Sequence, residues 1–522
     1  MKPLARLSRQ LSDPSALQEL ADELEKEYTT QEAPPQTTSL RFYDSFDWRL
    51  YAKGFLCFEQ GDRLSLTDLT GHELAPSLPR SEKVPGFCRD VPDSALKRTL
   101  APVLEMRTLL LQSSFSQTTR QLRILNKDKK TTATVTLSEL TGETEENGEI
   151  DQPICSVQLH EVRGYEKWFQ RLECALEKVG TPIPCTREQD LKTALAAKGR
   201  LPEDYSSKFS VPLKPNMAPL TAAKAIYRDL LATMQENEQG ILDDLDSEFL
   251  HDFRVAIRRT RSGLDMIKKA LEPKISARFK EEFRFLGKIT GPVRDLDVYL
   301  LMEDDYKSKL PEHLQKGLHY FFEDLAEQRE MEQEKLVQAL QSSQYKTIIK
   351  DWGKYLRQKK KTEVAKKTPA IGMLANKIIN KRFERVLQDG RAIDADSPDE
   401  DLHRLRIQGK KLRYCLEFFS SLYPAKEMKL LIKQLKALQN NLGLFNDLSV
   451  QQDMLNTYLA GLKPGSGKAK KMGAAIGGLL TNLYHEQQQV RTEFEAAFRC
   501  FSSQENIDLY EKLSSSAQKP SQ

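Results

Sequence analysis

Residues 251–261 hold one histidine and four arginines, within the stretch HDFRVAIRRTRSGLDMIKK (251–269). These residue types suit one chemistry, the binding of closely spaced anionic oxygens. Guanidiniums grip phosphate-like oxygens in bidentate fashion, and lysines add point charge. A histidine titrating near neutrality can donate to the same oxygens. At 3.6 residues per helical turn, His251, Arg254, Arg258, Arg261 and Lys269 share a narrow stripe. Phe253, Ile257, Leu264 and Ile267 lie opposite it.

The pattern occurs twice. An offset of 152 carries His251, Arg254, Arg258, Arg259 and Arg261 to His403, Arg406, Lys410, Lys411 and Arg413. In the second copy the cations face away from Leu405, Leu412, Leu416 and Phe419. The same offset takes Leu286, Gly291, Asp295 and Leu296 to Leu438, Gly443, Asp447 and Leu448, without a gap. A register held over some fifty residues marks an internally duplicated helical domain. A single basic helix face is ordinarily a solvated surface. Here the face recurs, with few carboxylates to neutralise it; Asp265 and Glu417 are the exceptions and are expected to aim the guanidiniums. Like charges at i, i+3 and i+4 repel, so a helix that tolerates them twice points to an anionic partner. If the repeats pack as a pseudo-symmetric pair, the stripes line opposite walls of one groove, which suits an extended chain.

Two kinds of element must position these residues. Short alternating runs at 39–46, 54–69, 105–115, 120–128, 131–140 and 153–164 predict an antiparallel sheet, with helices at 14–28 and 165–179. From about residue 218 onward nearly everything reads as helix, broken at 271–275, 289–295, 358–369, 389–401 and 461–471. The expected organisation is an α+β domain over 1–200, a linker over 201–217, an all-α duplicated bundle over 218–510 and a disordered tail over 511–522.

Composition sets the outer bounds. The chain has 522 residues, 39% hydrophobic and 30% charged, which suits two or three domains rather than one core. Net charge is +4, with −3 over residues 1–200 (27 basic, 30 acidic) and +7 over the remainder (52 basic, 45 acidic). That bias is mild, so anion binding must come from local clustering. Seven scattered cysteines with no CxxC pair, no membrane-length apolar run and no secretory-type apolar start predict a cytoplasmic protein without membrane contact.

HDFRVAIRRTRSGL and LHRLRIQGKKLRYCLEFF resemble the two signature helices of the CHAD domain family, and LGKITGPVRDLDVYL and LQNNLGLFNDLSV resemble the segments that follow each signature in that family. The resemblance spans about 218–510. It implies two four-helix halves around a basic groove that binds inorganic polyphosphate, with association with polyphosphate granules as a further expectation. Carried over residue by residue, the ligands are His251, Arg254, Arg258, Arg261, His403, Arg406, Lys410 and Arg413. Arg259, Lys269, Lys288, Arg294 and Lys411 form a second rank. Asp295 and Asp447 read as helix N-caps.

More faintly, LRFYDSFDWRLYAKGFLCF and VQLHEVRGYEKWFQRLECAL resemble the CYTH domain, the triphosphate tunnel fold. Its ExExK strand has no counterpart, because the nearest match, ELEKE at 23–27, falls on a predicted helix. Its late acidic pair appears as Gln158 and His160. Phosphoryl transfer needs carboxylates to hold Mg²⁺ or Mn²⁺, so a degenerate, non-catalytic domain without metal or cofactor is expected. Arg107, Arg120 and Arg123 are candidate anion contacts there, with plain surface the ordinary reading. The alternatives are a metal-dependent triphosphatase in this half and a nucleic-acid or acidic-protein binder using the basic helices. Aromatics do not interleave with the stripes, which weighs against base stacking. GLKPGSGKAK at 461–470 has five residues between its glycines and alanine after Lys468, so it fails the phosphate-loop pattern.

Overall fold

The computed structural model describes residues 6–79, 86–142, 153–184, 186–358, 369–463 and 465–516. The chain divides into two units, Met1–Ser207 and Lys208–Gln522.

In the first unit, strands β1 (Arg6–Leu11), β2 (Thr29–Asp44), β3 (Phe55–Gln60), β4 (Arg63–Asp68), β5 (Glu73–Pro79), β6 (Leu110–Leu125), β7 (Thr131–Gly142), β8 (Ile154–Glu161) and β9 (Thr181–Pro182) form one sheet. Their order is β5-β4-β3-β2-β6-β7-β8-β1-β9, and every pairing is antiparallel. Helices α1 (Pro14–Glu27), α2 (Arg49–Ala52), α3 (Ala95–Leu104), α4 (Glu166–Leu176) and α5 (Arg187–Ala197) cover it. In α1, Asp13 caps the Ala16 amide, Pro14 opens the first turn, and Leu17, Leu20, Ala21 and Leu24 bury one face. That face packs with Phe169, Leu172 and Leu176 of α4 on Leu122, Val135, Val157 and Leu159. The ELEKE segment is therefore helical, as its periodicity predicts.

Two predicted strands, 105–115 and 120–128, are one. The polar stretch between them stays extended because β2 and β7 pair with it from both sides. Pro34 and Pro35 offer no ladder donors, and the β2 register shifts there, between Ala33 and Gln36. Strand β1 was not legible in the sequence; it is held between β8 and β9.

In the second unit the helices are α6 (Pro219–Leu242), α7 (Ser247–Met266), α8 (Pro273–Ile289), α9 (Gly291–Leu300), α10 (Glu303–Ser308), α11 (Glu312–Gln341), α12 (Ser343–Arg357), α13 (Ile371–Arg391), α14 (Asp399–Phe418), α15 (Ala425–Gly461), α16 (Gly467–Phe501) and α17 (Gln504–Ser516). The 152-residue offset reappears in the architecture. It relates both ends of α7 and α14, the starts of α6 and α13, and the starts of α8 and α15. It also relates the 3-10 turns at Lys268–Ala270 and Ser420–Leu422. Each half is a four-membered set, α6, α7, α8 with α9, and α11 against α13, α14, α15 and α16. The copies differ where Pro292 stands in place of Leu444: the first breaks at Thr290, and the second runs on as one 37-residue helix.

Three expectations need correction. The chain is helical to Ser516, so 511–516 are not a disordered tail, and 517–522 lie outside the described residues. Asp295 and Asp447 sit inside α9 and α15 and cap nothing. Residues 201–217 form no regular element, but their second half is fastened to the helical unit. The Leu213 amide donates to Ser421 Oγ at 2.9 Å, and Phe209 packs on Phe418.

Candidate anion-binding site

Helix α7 starts where Asp246 caps the Glu248 amide, and it buries Phe253, Ile257 and Leu264. Helix α14 buries Leu405, Leu412 and Leu416. With the apolar stripes inward, both basic stripes are carried to the other side. The two helices are tied by Arg259 of α7, which donates to Glu417 of α14 at 2.9 Å and lies over the Phe209 ring. Glu417 also accepts from Arg413 at 2.7 Å. Glu417 thus positions guanidiniums from both repeats, as expected. Asp265 does not, because it accepts from Lys280 at 2.7 Å.

The cations that remain are poorly compensated. Lys410 is half-buried, and its ammonium is pushed down to about 8, first by burial, then by Arg406 of its own helix and Arg258 of the other repeat. Asp447 opposes this. The Arg254 guanidinium is also pulled down, by burial first and then by Arg258 and Arg294, with Asp295 opposing. Asp295 itself is raised by burial despite Arg254 and Arg294, so this pair does not make good its own desolvation. Among the described residues, Arg258, Arg261, Lys288 and Lys410 have no carboxylate within ion-pair distance. Residues from both repeats therefore share one excess of positive charge.

Local packing aims the rest. Arg254 donates to Gly287 O at 3.2 Å and Thr290 Oγ1 at 2.9 Å. A Cβ on Gly287 would lie 3.3 Å from an Arg261 nitrogen, so that glycine makes room for the guanidinium. In the second repeat Gln439 stands in its place beside Gly409, with both amide atoms buried and unpartnered among the described residues. Arg406 donates to Asp447 at 3.1 Å. His403 is exposed, and its Nδ1 lies 2.6 Å from Asn446 Oδ1, an oxygen to which a protonated Nδ1 donates.

Residues 225–456 match the family model described as the CHAD domain. The helical unit contains a CHAD domain. Among solved structures, the chain is similar to the CHAD domain from the plant Ricinus communis, at 27% identity and TM-score 0.46, covering 56% of this chain and 96% of that one. It is also similar to PptA from Streptomyces chartreusis, at 16% identity and TM-score 0.43, covering 54% and 99%. No curated protein matches. The antiparallel sheet of the first unit is compatible with a CYTH-like fold.

Within the CHAD domain, the second-rank residues separate. Arg259 is an interface residue, engaged by Glu417 and 14% exposed. Arg294 donates to Ser247 O at 3.2 Å, 15% exposed and near Glu248, and so braces α9 against the start of α7. Lys288 is exposed and Lys411 half-buried. His251 is half-buried. The Lys269 side chain and the lysines of 359–368 lie outside the described residues. Asp447 and Asn446 are the site neighbours that sequence reading missed. Their offset partners, Asp295 and Arg294, signalled a shared position but not its role.

In the sheet unit, Arg107 is buried near Asp47 at 3.4 Å, and Arg120 is taken by Glu32 and Gln18 at 2.7 Å each; both are structural. Arg123 is exposed. Two cross-strand rows, Arg123–Thr134–His160 and Gln121–Thr136–Gln158, lie on one sheet face and contain no carboxylate. No group of three metal-ligating side chains occurs among the described residues, and no described helix is long and apolar enough to cross a membrane.

Proposed function

We propose that the helical unit binds inorganic polyphosphate along the joined basic faces of α7 and α14, without catalysing its breakdown. The observation that carries this reading is that Arg258 from one repeat and Arg406 from the other both act on the half-buried Lys410, whose ammonium is lowered first by burial and then by these two charges. Such a cluster gains most from a ligand that brings many charges at short spacing. A linear phosphate chain does so while offering oxygens to every guanidinium. Binding proceeds by electrostatic capture with counterion release, as for other polyanions, so affinity falls steeply with salt. The carboxylate-free rows of the sheet support a non-catalytic first unit.

The test is titration of the full chain with long-chain polyphosphate and with RNA of equal charge at two salt concentrations. Arg258→Glu and Lys410→Glu together, with helical circular dichroism retained, are expected to abolish binding. Equal capture of RNA would assign the site to nucleic acid instead.

A further inference from the structure

The two repeats carry the same signature but differently charged neighbours. Asp447, which meets Arg406, lies on α15. Lys429 precedes it by eighteen residues, or five turns at 3.6 residues per turn, and Lys433 and Lys436 fall close to the same line. Helix α15 is unbroken across this interval, so one face runs about 27 Å from Asp447 to Lys429 at 1.5 Å per residue. Because Arg406 meets Asp447 and Gly409 lies beside Gln439, α14 and α15 run antiparallel. Lys436 therefore stands near the level of Arg413, and Lys433 and Lys429 continue toward the C-terminal end of α14.

All three lysines are exposed, and none has a carboxylate within ion-pair distance among the described residues. Their i, i+3 and i+4 spacing adds mutual repulsion. The first repeat provides the internal comparison. Its equivalent positions are Ala277, Glu281 and Arg284, with Arg284 and Glu281 paired at 3.1 Å, and its helix is interrupted at Thr290. One copy has an ordinary mixed-charge surface, and the other has an uninterrupted ladder of cations.

We infer that Lys429, Lys433 and Lys436 form an extension of the site along α15, so that a polyphosphate chain leaves the shared cluster over the second repeat rather than the first. This rests on the polyphosphate reading of the site. It gives the protein a preference for chains long enough to cover both segments. A short oligomer is held by the α7–α14 cluster alone.

The experiment compares tripolyphosphate with long-chain polyphosphate on the full-length protein, across a salt series. The variants are Lys429→Gln/Lys433→Gln/Lys436→Gln, Arg284→Gln, and Arg258→Glu/Lys410→Glu, each checked by circular dichroism. The triple variant is expected to lose about tenfold in affinity for the long chain. Its log–log salt slope should fall by about two to three, near 0.7–0.9 per charge neutralised. Tripolyphosphate binding and the Arg284→Gln variant should be unchanged. If the triple variant binds long chains with wild-type affinity and slope while Arg258→Glu/Lys410→Glu does not, the extension is overturned and the cluster stands. An equal loss with Arg284→Gln would overturn the asymmetry. If Arg258→Glu/Lys410→Glu also binds normally, the reading of the site falls with it.

Discussion

At the residue scale, Lys410 gives the clearest dependence on pH. Its folded value near 8 lies below the usual lysine range. Between about 8 and 10.4 the unfolded chain therefore binds more protons, and this group adds stability as pH rises. Binding runs the other way, because an anion favours the charged ammonium. Polyphosphate affinity is expected to fall as pH passes above about 8, and Lys410→Gln should flatten that part of the profile in a titration series. Gly287 is a second test. A methyl there would stand 3.3 Å from an Arg261 nitrogen, so Gly287→Ala should displace that guanidinium and weaken binding several-fold, with little change in melting temperature. Neither role was readable from residue type. Both stripes carry the same kinds of cation, and only packing divides Arg258, which is open, from Arg259, which is committed to Glu417.

At the scale of elements, the Arg259–Glu417 bridge joins the two signature helices. Arg259→Met would leave Glu417 half-paired at a largely buried contact, lowering stability by about 1–3 kcal/mol in denaturant unfolding while sparing most polyphosphate affinity. That outcome separates a bracing arginine from a binding one. In the sheet unit, Asp44 is raised to about 7, by burial first, although it accepts from the Ser45, Leu50 and Tyr51 amides. Those three bonds fold the chain back between β2 and α2. Asp44→Ala would strand three amide donors, two of them in buried bonds, and is expected to destabilise that unit by about 2–4 kcal/mol, read from its own unfolding transition. The helices were legible because apolar residues recur at their period. Strand β1 was not, because RLSRQL carries no strong strand signal and depends on its partners.

At the scale of the whole molecule, the chain joins a duplicated helical unit that concentrates positive charge to a sheet unit whose Gln121–Thr136–Gln158 and Arg123–Thr134–His160 rows lack carboxylates. Full-length protein supplied with tripolyphosphate and Mg²⁺ or Mn²⁺ is expected to release no phosphate above a buffer control. Release that depended on the sheet unit would return catalysis to it.

The sequence alone determined the duplication, the helical and sheet halves, and the faces on which the cations lie. Each arises from local periodicity and a repeated register, which need no long-range contact to be read. Only the tertiary structure decided which cations are open. Arg254, Arg259 and Arg294 have partners 33, 158 and 47 residues away, whereas Arg258 and Lys410 are brought together from different repeats and left uncompensated. Ion pairing and desolvation depend on distance in space, and the spacing of residues along the chain does not fix it.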